Sequence, residues 1–284
     1  MNLSQASHSI HIPDGLPEEA ALSRVTHLGI GAHQDDLEFM AFHGIVACHQ
    51  SANDWFAGVT CTNGAGSSRT GAFAEHTDLQ MQEVRRKEQN LAADIGHYAA
   101  MIQLDHSSAA VKNRQDTALR DDLLEILRHT RPRTVYTHNL ADKHETHVGV
   151  ALATVEAVRL LPPELRPRPV IGCEVWRGLD WMDDRSKVVM DVSGHDELAA
   201  RLNGVFASQI AGGKRYDLAI MGRRAANATF FQSHATDRAT QIIFGMDLTP
   251  LVVDPSLDIT SYVAGFANAL VEDVREKLER GHTA

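Results

Sequence analysis

Val25-Thr26-His27-Leu28-Gly29-Ile30-Gly31-Ala32-His33-Gln34-Asp35-Asp36 is the stretch from which the rest of the chain is read. Residues 25–32 are rich in apolar side chains and bounded by polar ones, as suits a buried strand. A histidine and two carboxylates follow at once, and then residues 37–49 read as a helix. Open α/β sheets bind ligands beyond the carboxyl ends of their strands, so these polar residues stand where chemistry is done. Adjacent carboxylates repel each other unless a cation or a proton relieves them. Zinc would do so, since it accepts histidine nitrogen and carboxylate oxygen and its catalytic sites commonly take three protein ligands and a water. Taken alone, the stretch is explained as well by helix capping through Asp35 or Asp36, with His33 incidental. Gly29-Ile30-Gly31 lacks the third glycine of a dinucleotide turn, and His33 to Asp36 fill the turn instead.

Further strands are expected over residues 55–62, 99–104, 134–137 and 187–192, and helices over 79–95, 116–129, 144–161, 196–209 and 262–280. Gly96, Pro132 and the pair Pro162-Pro163 supply stops. Strand and helix alternate through about the first 160 residues, which predicts a mostly parallel sheet with helices on both faces. The fold class is therefore α/β, a Rossmann-like three-layer αβα sandwich. The chain is taken as one domain over 1–284, with its core at about 25–210 and a C-terminal elaboration over 211–284. Within that elaboration only the last helix is legible.

A second polar patch, Asp142-Lys143-His144-Glu145-Thr146-His147, also follows a predicted strand and opens a helix. His144 and His147 are three apart and point the same way from a first helical turn. A solvated, charged helix start is the competing account of this hexapeptide. The conjunction matters more than either patch, because both fall at the same edge of one inferred sheet and together offer histidine and carboxylate ligands with acid–base groups to spare.

At these residues the chain resembles the LmbE-like, or PIG-L, family of zinc de-N-acetylases. The family's first motif, Ala-His-Pro-Asp-Asp followed by Glu, is matched by Ala32-His33-Gln34-Asp35-Asp36 and Glu38. Its second, His-Pro-Asp-His, is matched by His144-Glu145-Thr146-His147. Arg85-Arg86-Lys87-Glu88 resembles the family's Arg-x-x-Glu helix, Arg131 to Val135 its strand entry, and Ser208-Gln209 a late feature. The resemblance implies that His33, Asp36 and His147 bind Zn2+. It implies Asp35 as general base, and His144 as the group that stabilises the tetrahedral intermediate or protonates the leaving amine. It also makes Arg69 a candidate for contacting sugar hydroxyls. Gln34 replaces the usual proline, which is read as a change in backbone stiffness, and His43-Gly44 replaces a pair of glycines. Thr146 replaces a carboxylate, which should leave His144 less basic unless Asp142 or Glu145 stands in for it, Asp142 being the better placed because Glu145 points away along the helix. Asp142 is counted with Arg69 among the substrate-binding residues. Without the resemblance, Arg85 and Glu88 read equally as an i,i+3 surface pair.

The net charge of −10 and the absence of a basic run argue against nucleic acid and anionic membrane as partners. No stretch is long and apolar enough to span a bilayer, and residues 1–20 do not read as a signal peptide. Cys48, Cys61 and Cys173 are odd in number and widely spaced, as in reduced, buried thiols of a cytoplasmic protein. The loop from Asn63 to Arg69 lacks the Lys-Ser/Thr ending of a phosphate-binding loop, and His234, beside Phe230 and Phe231, reads as a packed residue. The expected activity is removal of an N-acyl group, taken to be acetyl, from a small-molecule amino sugar or conjugate; the acidic surface favours a neutral one. Self-association into a homo-oligomer is left open. A zinc hydrolase of another amide or ester, or a non-catalytic sugar- or nucleotide-binding protein on the same fold, are the alternatives. The presence of both Asp35 and His144 argues against the binding protein, since binding alone needs no acid–base pair.

Overall fold

The computed structural model describes residues 1–67, 69–231 and 234–280; Ser68 of the glycine-rich loop, and Gln232 and Ser233 beside His234, lie outside the described residues. One sheet holds β1 (Ser9–His11), β2 (His27–Gly31), β3 (Phe56–Thr62), β4 (Ala100–His106), β5 (Thr134–His138), β6 (Val170–Cys173), β7 (Lys187–Asp191) and β8 (Ile242–Asp247). Their order is β1-β4-β3-β2-β5-β6-β8-β7. The run from β4 to β6 is parallel throughout, while β1, β8 and β7 pair antiparallel with their neighbours. The mostly parallel sheet is as the alternation of elements implied. From β2 the chain builds outward through β3 and β4, then returns to the other side of β2 with β5. The strand order therefore reverses between β2 and β5, where an open sheet leaves a crevice at its carboxyl edge.

Successive side chains along these strands go to opposite faces. Leu28, Ile30, Ala57, Val59, Ile102 and Val135 belong to one buried apolar cluster, which also takes in Leu123, Ile126, Val150 and Val155 from the helices Ala118–Thr130 and Glu145–Arg159. Phe56, Met101, Tyr136 and Ile171 belong to another, with Leu37, Met40, Ile45 and Ala92. Gly29 and Gly31 serve this second face. A Cβ on Gly29 would lie 2.6 Å from the Phe56 ring and 3.0 Å from Leu37, so the glycine pair admits the next helix rather than a dinucleotide.

Two expected helices are broken. Residues 37–49 form Asp36–Met40 and Phe42–His49, and residues 196–209 form Asp196–Gly204 and Ala207–Ala211. At the first break the buried Arg224 guanidinium donates to the carbonyls of Glu38 and Phe39 at 2.8 and 3.1 Å. The region after residue 211 is more than an appendage. Its helix Tyr216–Ala228 brings Arg224 to this break, and its strand β8 lies inside the sheet between β6 and β7. Among the described residues no helix is long and apolar enough to cross a membrane.

Candidate active site

The carboxyl ends of β2 and β5 bring the two polar patches together. His33 Nδ1 lies 3.3 Å from Asp36 Oδ2, His147 Nε2 lies 3.4 Å from the same oxygen, and the two ring nitrogens are 3.3 Å apart. Three donors held at about 2.0–2.1 Å from a tetrahedral zinc would be separated by about 3.3–3.4 Å, so this triangle has the size of a metal site. Its donors also suit one: a carboxylate and two imidazoles, with Asp36 and His147 buried and His33 open to the cleft. Burial opposes ionisation of Asp36, but His147 and His138 outweigh it and hold the carboxyl well below its ordinary value. Burial likewise opposes charge on His147, and Asp36 and Asp142 raise it. A metal held here would displace a proton, so its affinity would fall in acid.

The sequence reading missed His138, the last residue of β5. It is fully buried, stacks on His147 with ring centroids 3.8 Å apart, and sets Nε2 3.3 Å from Asp36 Oδ2. That nitrogen already accepts the Ala32 N–H at 2.9 Å, so its lone pair is engaged. His138 therefore backs the triangle of His33, Asp36 and His147. Its position at the end of a parallel strand was the signal that could have found it.

Asp35 occupies the capping position of the next helix, but its side chain makes no capping hydrogen bond, which removes the simplest alternative account of the motif. Its backbone is left-handed, with φ 100° and ψ −29°, a conformation costing a non-glycine residue about 1–3 kcal/mol. This turn sends consecutive carboxylates into one cleft. Burial above all pushes the Asp35 carboxyl up to about 8, with Asp36 and Glu38 adding and Arg85 opposing. The helix Asp78–Gly96 supports it with a polar buried side. Gln89 Oε1 accepts the Asp35 N–H at 3.1 Å, and Arg85 Nη2 lies 3.4 Å from Asp35 Oδ2 and donates to the Gln34 carbonyl. Arg85 is wholly buried and so is not part of a surface pair. Ser208 donates to both Glu88 oxygens, at 2.8 Å from nitrogen and 2.6 Å from Oγ. With its amide oriented to satisfy both ends, Gln209 accepts from Arg85 at 2.7 and 2.9 Å. The Arg85–Glu88 and Ser208-Gln209 features are thus one brace under the carboxylates.

His144 stands at the mouth of the cleft, edge-on to His33 at 5.1 Å between ring centroids. Burial, with His147 and His33 nearby, lowers its pKa. The cleft has a volume of about 540 Å3 and is also walled by Trp176 and Tyr216.

Residues 28–158 match the family model described as PIG-L: GlcNAc-PI de-N-acetylase. The match spans 131 of the 284 residues and takes in both polar patches. No curated protein sequence matches the chain. Among solved structures it is similar to GalB, the 4-carboxy-2-hydroxymuconate hydratase from Pseudomonas putida KT2440, at 19% identity over 82% of this chain and 100% of that one, TM-score 0.61. It is also similar to N,N'-diacetylchitobiose deacetylase from Pyrococcus horikoshii, at 14% identity over 82% and 88%, TM-score 0.59. A third is Dbv21, the antimicrobial reagent A40926 pseudoaglycone deacetylase, at 16% identity over 79% and 97%, TM-score 0.58. At such identities the likeness is one of fold, and that fold carries a hydratase as well as deacetylases.

Four expectations need correction. Asp142 does not line the cleft, and its charge raises the His144 pKa without offsetting the lowering by burial, His147 and His33. It is buried; its carboxylate accepts the His144 and Trp176 N–H groups at 2.9 and 3.2 Å and lies 3.7 Å from His147 Nδ1, so it orients the second patch from behind. Arg69 is turned away from the cleft, paired with Asp78 and with the Ala65 carbonyl at 3.1 Å. Gln34 does more than alter stiffness: its buried amide donates to the Thr62 carbonyl at 3.1 Å and to Gln103 at 3.3 Å, tying the motif to β3 and β4. His234 is exposed rather than packed, and does not line the cleft.

Proposed function

We propose that the chain is a zinc-dependent hydrolase that removes an N-acyl group, in the first instance acetyl, from an amino sugar or sugar conjugate. The observation that carries this reading is the donor triangle of His33, Asp36 and His147 beside a buried carboxylate, Asp35, and an open imidazole, His144. Zinc held by that triangle would supply Lewis acidity toward water and the amide carbonyl. Asp35 takes a proton from the attacking water on its carboxylate, and a pKa near neutrality suits a group that must accept and later release it. Arg85 holds that carboxylate in place. As the carbon–nitrogen bond breaks, His144 gives its proton to the departing amine, and its lowered pKa makes it the stronger acid. The products are a carboxylate and a free amine. The two apolar clusters on opposite faces of the sheet support a Rossmann-like αβα sandwich, and β8 within that sheet supports one domain over 1–284.

Because the fold also hosts a hydratase, acetate release decides the matter rather than metal content. Zinc-loaded protein is incubated with N-acetylglucosamine conjugates and with N-acetyl amino acids, and acetate and free amine are measured. Faster release from the sugar conjugates is the expected result. The reverse ranking, or no release from either, rejects the reading.

A further inference from the structure

The cleft over the donor triangle differs in charge from the protein around it. The chain as a whole carries −10. Of the side chains lining the cleft, the acids are Asp35 and Asp36, both buried at its floor. Asp36 is engaged by the imidazoles of His33, His138 and His147, and Asp35 faces Arg85. Above that floor the charged lining is Lys112, Lys143 and Lys214, all exposed and drawn from three separate segments. Lys143 and Lys214 make no ion pair among the described residues, and Lys112 has only the exposed Glu145 at 4.0 Å. Beside them Trp176 and Tyr216 pack with ring centroids 4.4 Å apart, and Lys214 Nζ lies 5.8 Å from the Tyr216 ring. Flexible cations around an aromatic wall make a site for a ring that bears a negative group.

We infer that Lys112, Lys143 and Lys214 form an anion-recognising rim, and that the substrate carries a carboxylate or phosphate in addition to its N-acyl amine. The inference rests on the proposed deacylase reading for the N-acyl part alone; the anion rim stands on the lining residues. It corrects the expectation of a neutral substrate, which averaged charge over the whole surface when only the cleft meets the ligand. Exposed ion pairs contribute modestly, about 1.4- to 5-fold in affinity each, so three lysines together give about a tenfold preference for an anionic ligand over its neutral counterpart. Such a preference weakens with salt.

Calorimetry on the zinc-loaded full chain tests this with the amine products glucosamine 6-phosphate, muramic acid and glucosamine, which cannot turn over. The expected result is that the phosphate or the carboxylate ligand binds about tenfold more tightly than glucosamine, and the stronger of the two identifies the group. In the triple variant Lys112→Ala, Lys143→Ala, Lys214→Ala the preference disappears while zinc content stays unchanged. Equal affinities in the wild type, or a preference that survives the triple variant with anions bound at the metal alone, overturn the rim. If the preference holds but no N-acetyl sugar releases acetate, the rim is upheld and the deacylase reading fails by itself.

Discussion

Removing Asp36 gives the sharpest test of the donor triangle. It is the one anionic donor, and its Oδ2 stands 3.3 and 3.4 Å from the two histidine donors. A ligand that binds only the folded state at 100 times its Kd stabilises it by about 2.7 kcal/mol. Unfolding entropy of about 2.1 cal/mol/K per residue over 284 residues comes to about 0.6 kcal/mol/K, so zinc should raise Tm by about 4–5 °C. Zinc sites with four protein ligands bind with about 10–16 kcal/mol, or about 2.5–4 kcal/mol per ligand, so losing Asp36 should weaken Kd on the order of 100-fold. At the same zinc concentration the variant then gains only about 0.4 kcal/mol, a rise below about 1 °C. The assay is a thermal melt of chelator-treated wild type and Asp36→Ala, each with and without zinc, with bound metal measured by emission spectroscopy. Using each protein's own metal-free melt as reference cancels any change in intrinsic stability. A full 4–5 °C rise with about one bound zinc in Asp36→Ala would refute the assignment of ligands.

Asp35→Asn should retain zinc and lose about 10²–10⁴-fold in kcat; turnover near wild type would leave Asp35 a purely structural residue. Arg85→Met removes the buried guanidinium beside Asp35 and Glu88, and leaving buried charges unpaired costs about 3–5 kcal/mol. A urea midpoint shift equivalent to less than about 1 kcal/mol would show that the brace does not stabilise the fold. His144→Ala should keep the metal and lose most turnover, so normal acetate release from that variant excludes His144 as the acid. The last prediction lies outside the cleft. Asp122 accepts from Ser4 and His106, and although burial opposes its charge, those partners lower its pKa below the usual 3.8. Its contribution is therefore present above pH 3.8 and lost as pH falls through the folded-state value. Asp122→Asn should lie below wild type at neutral pH and converge on it in acid, as followed by denaturation at a series of pH values; parallel curves would contradict the assignment.

The sequence by itself determined what depends on local pattern. The apolar run into β2, the helical period through residues 79–95, and the polar clusters at two strand ends are all local features. They were enough to place His33, Asp36 and His147 at one sheet edge, because a parallel strand delivers its next residues to that edge wherever it sits in the sheet. Only tertiary structure decided which distant segments meet. The four-residue β6 and the six-residue β8 carry too little pattern to stand out, and β8 enters the sheet between β6 and β7 through pairings remote in sequence. The helix after Asp36 reads as continuous, yet it breaks where Arg224 arrives to take its carbonyls. Arg85 and Glu88 have the spacing of a solvated pair, and become buried only because Ser208 and the Asp35 turn close over them. Asp142 lies near His144 in sequence but turns its carboxylate behind His147, since the Trp176 N–H from another loop draws it there. The lysine rim has no motif at all: its members come from three segments, and their common charge acquires meaning only when the fold gathers them around one cleft.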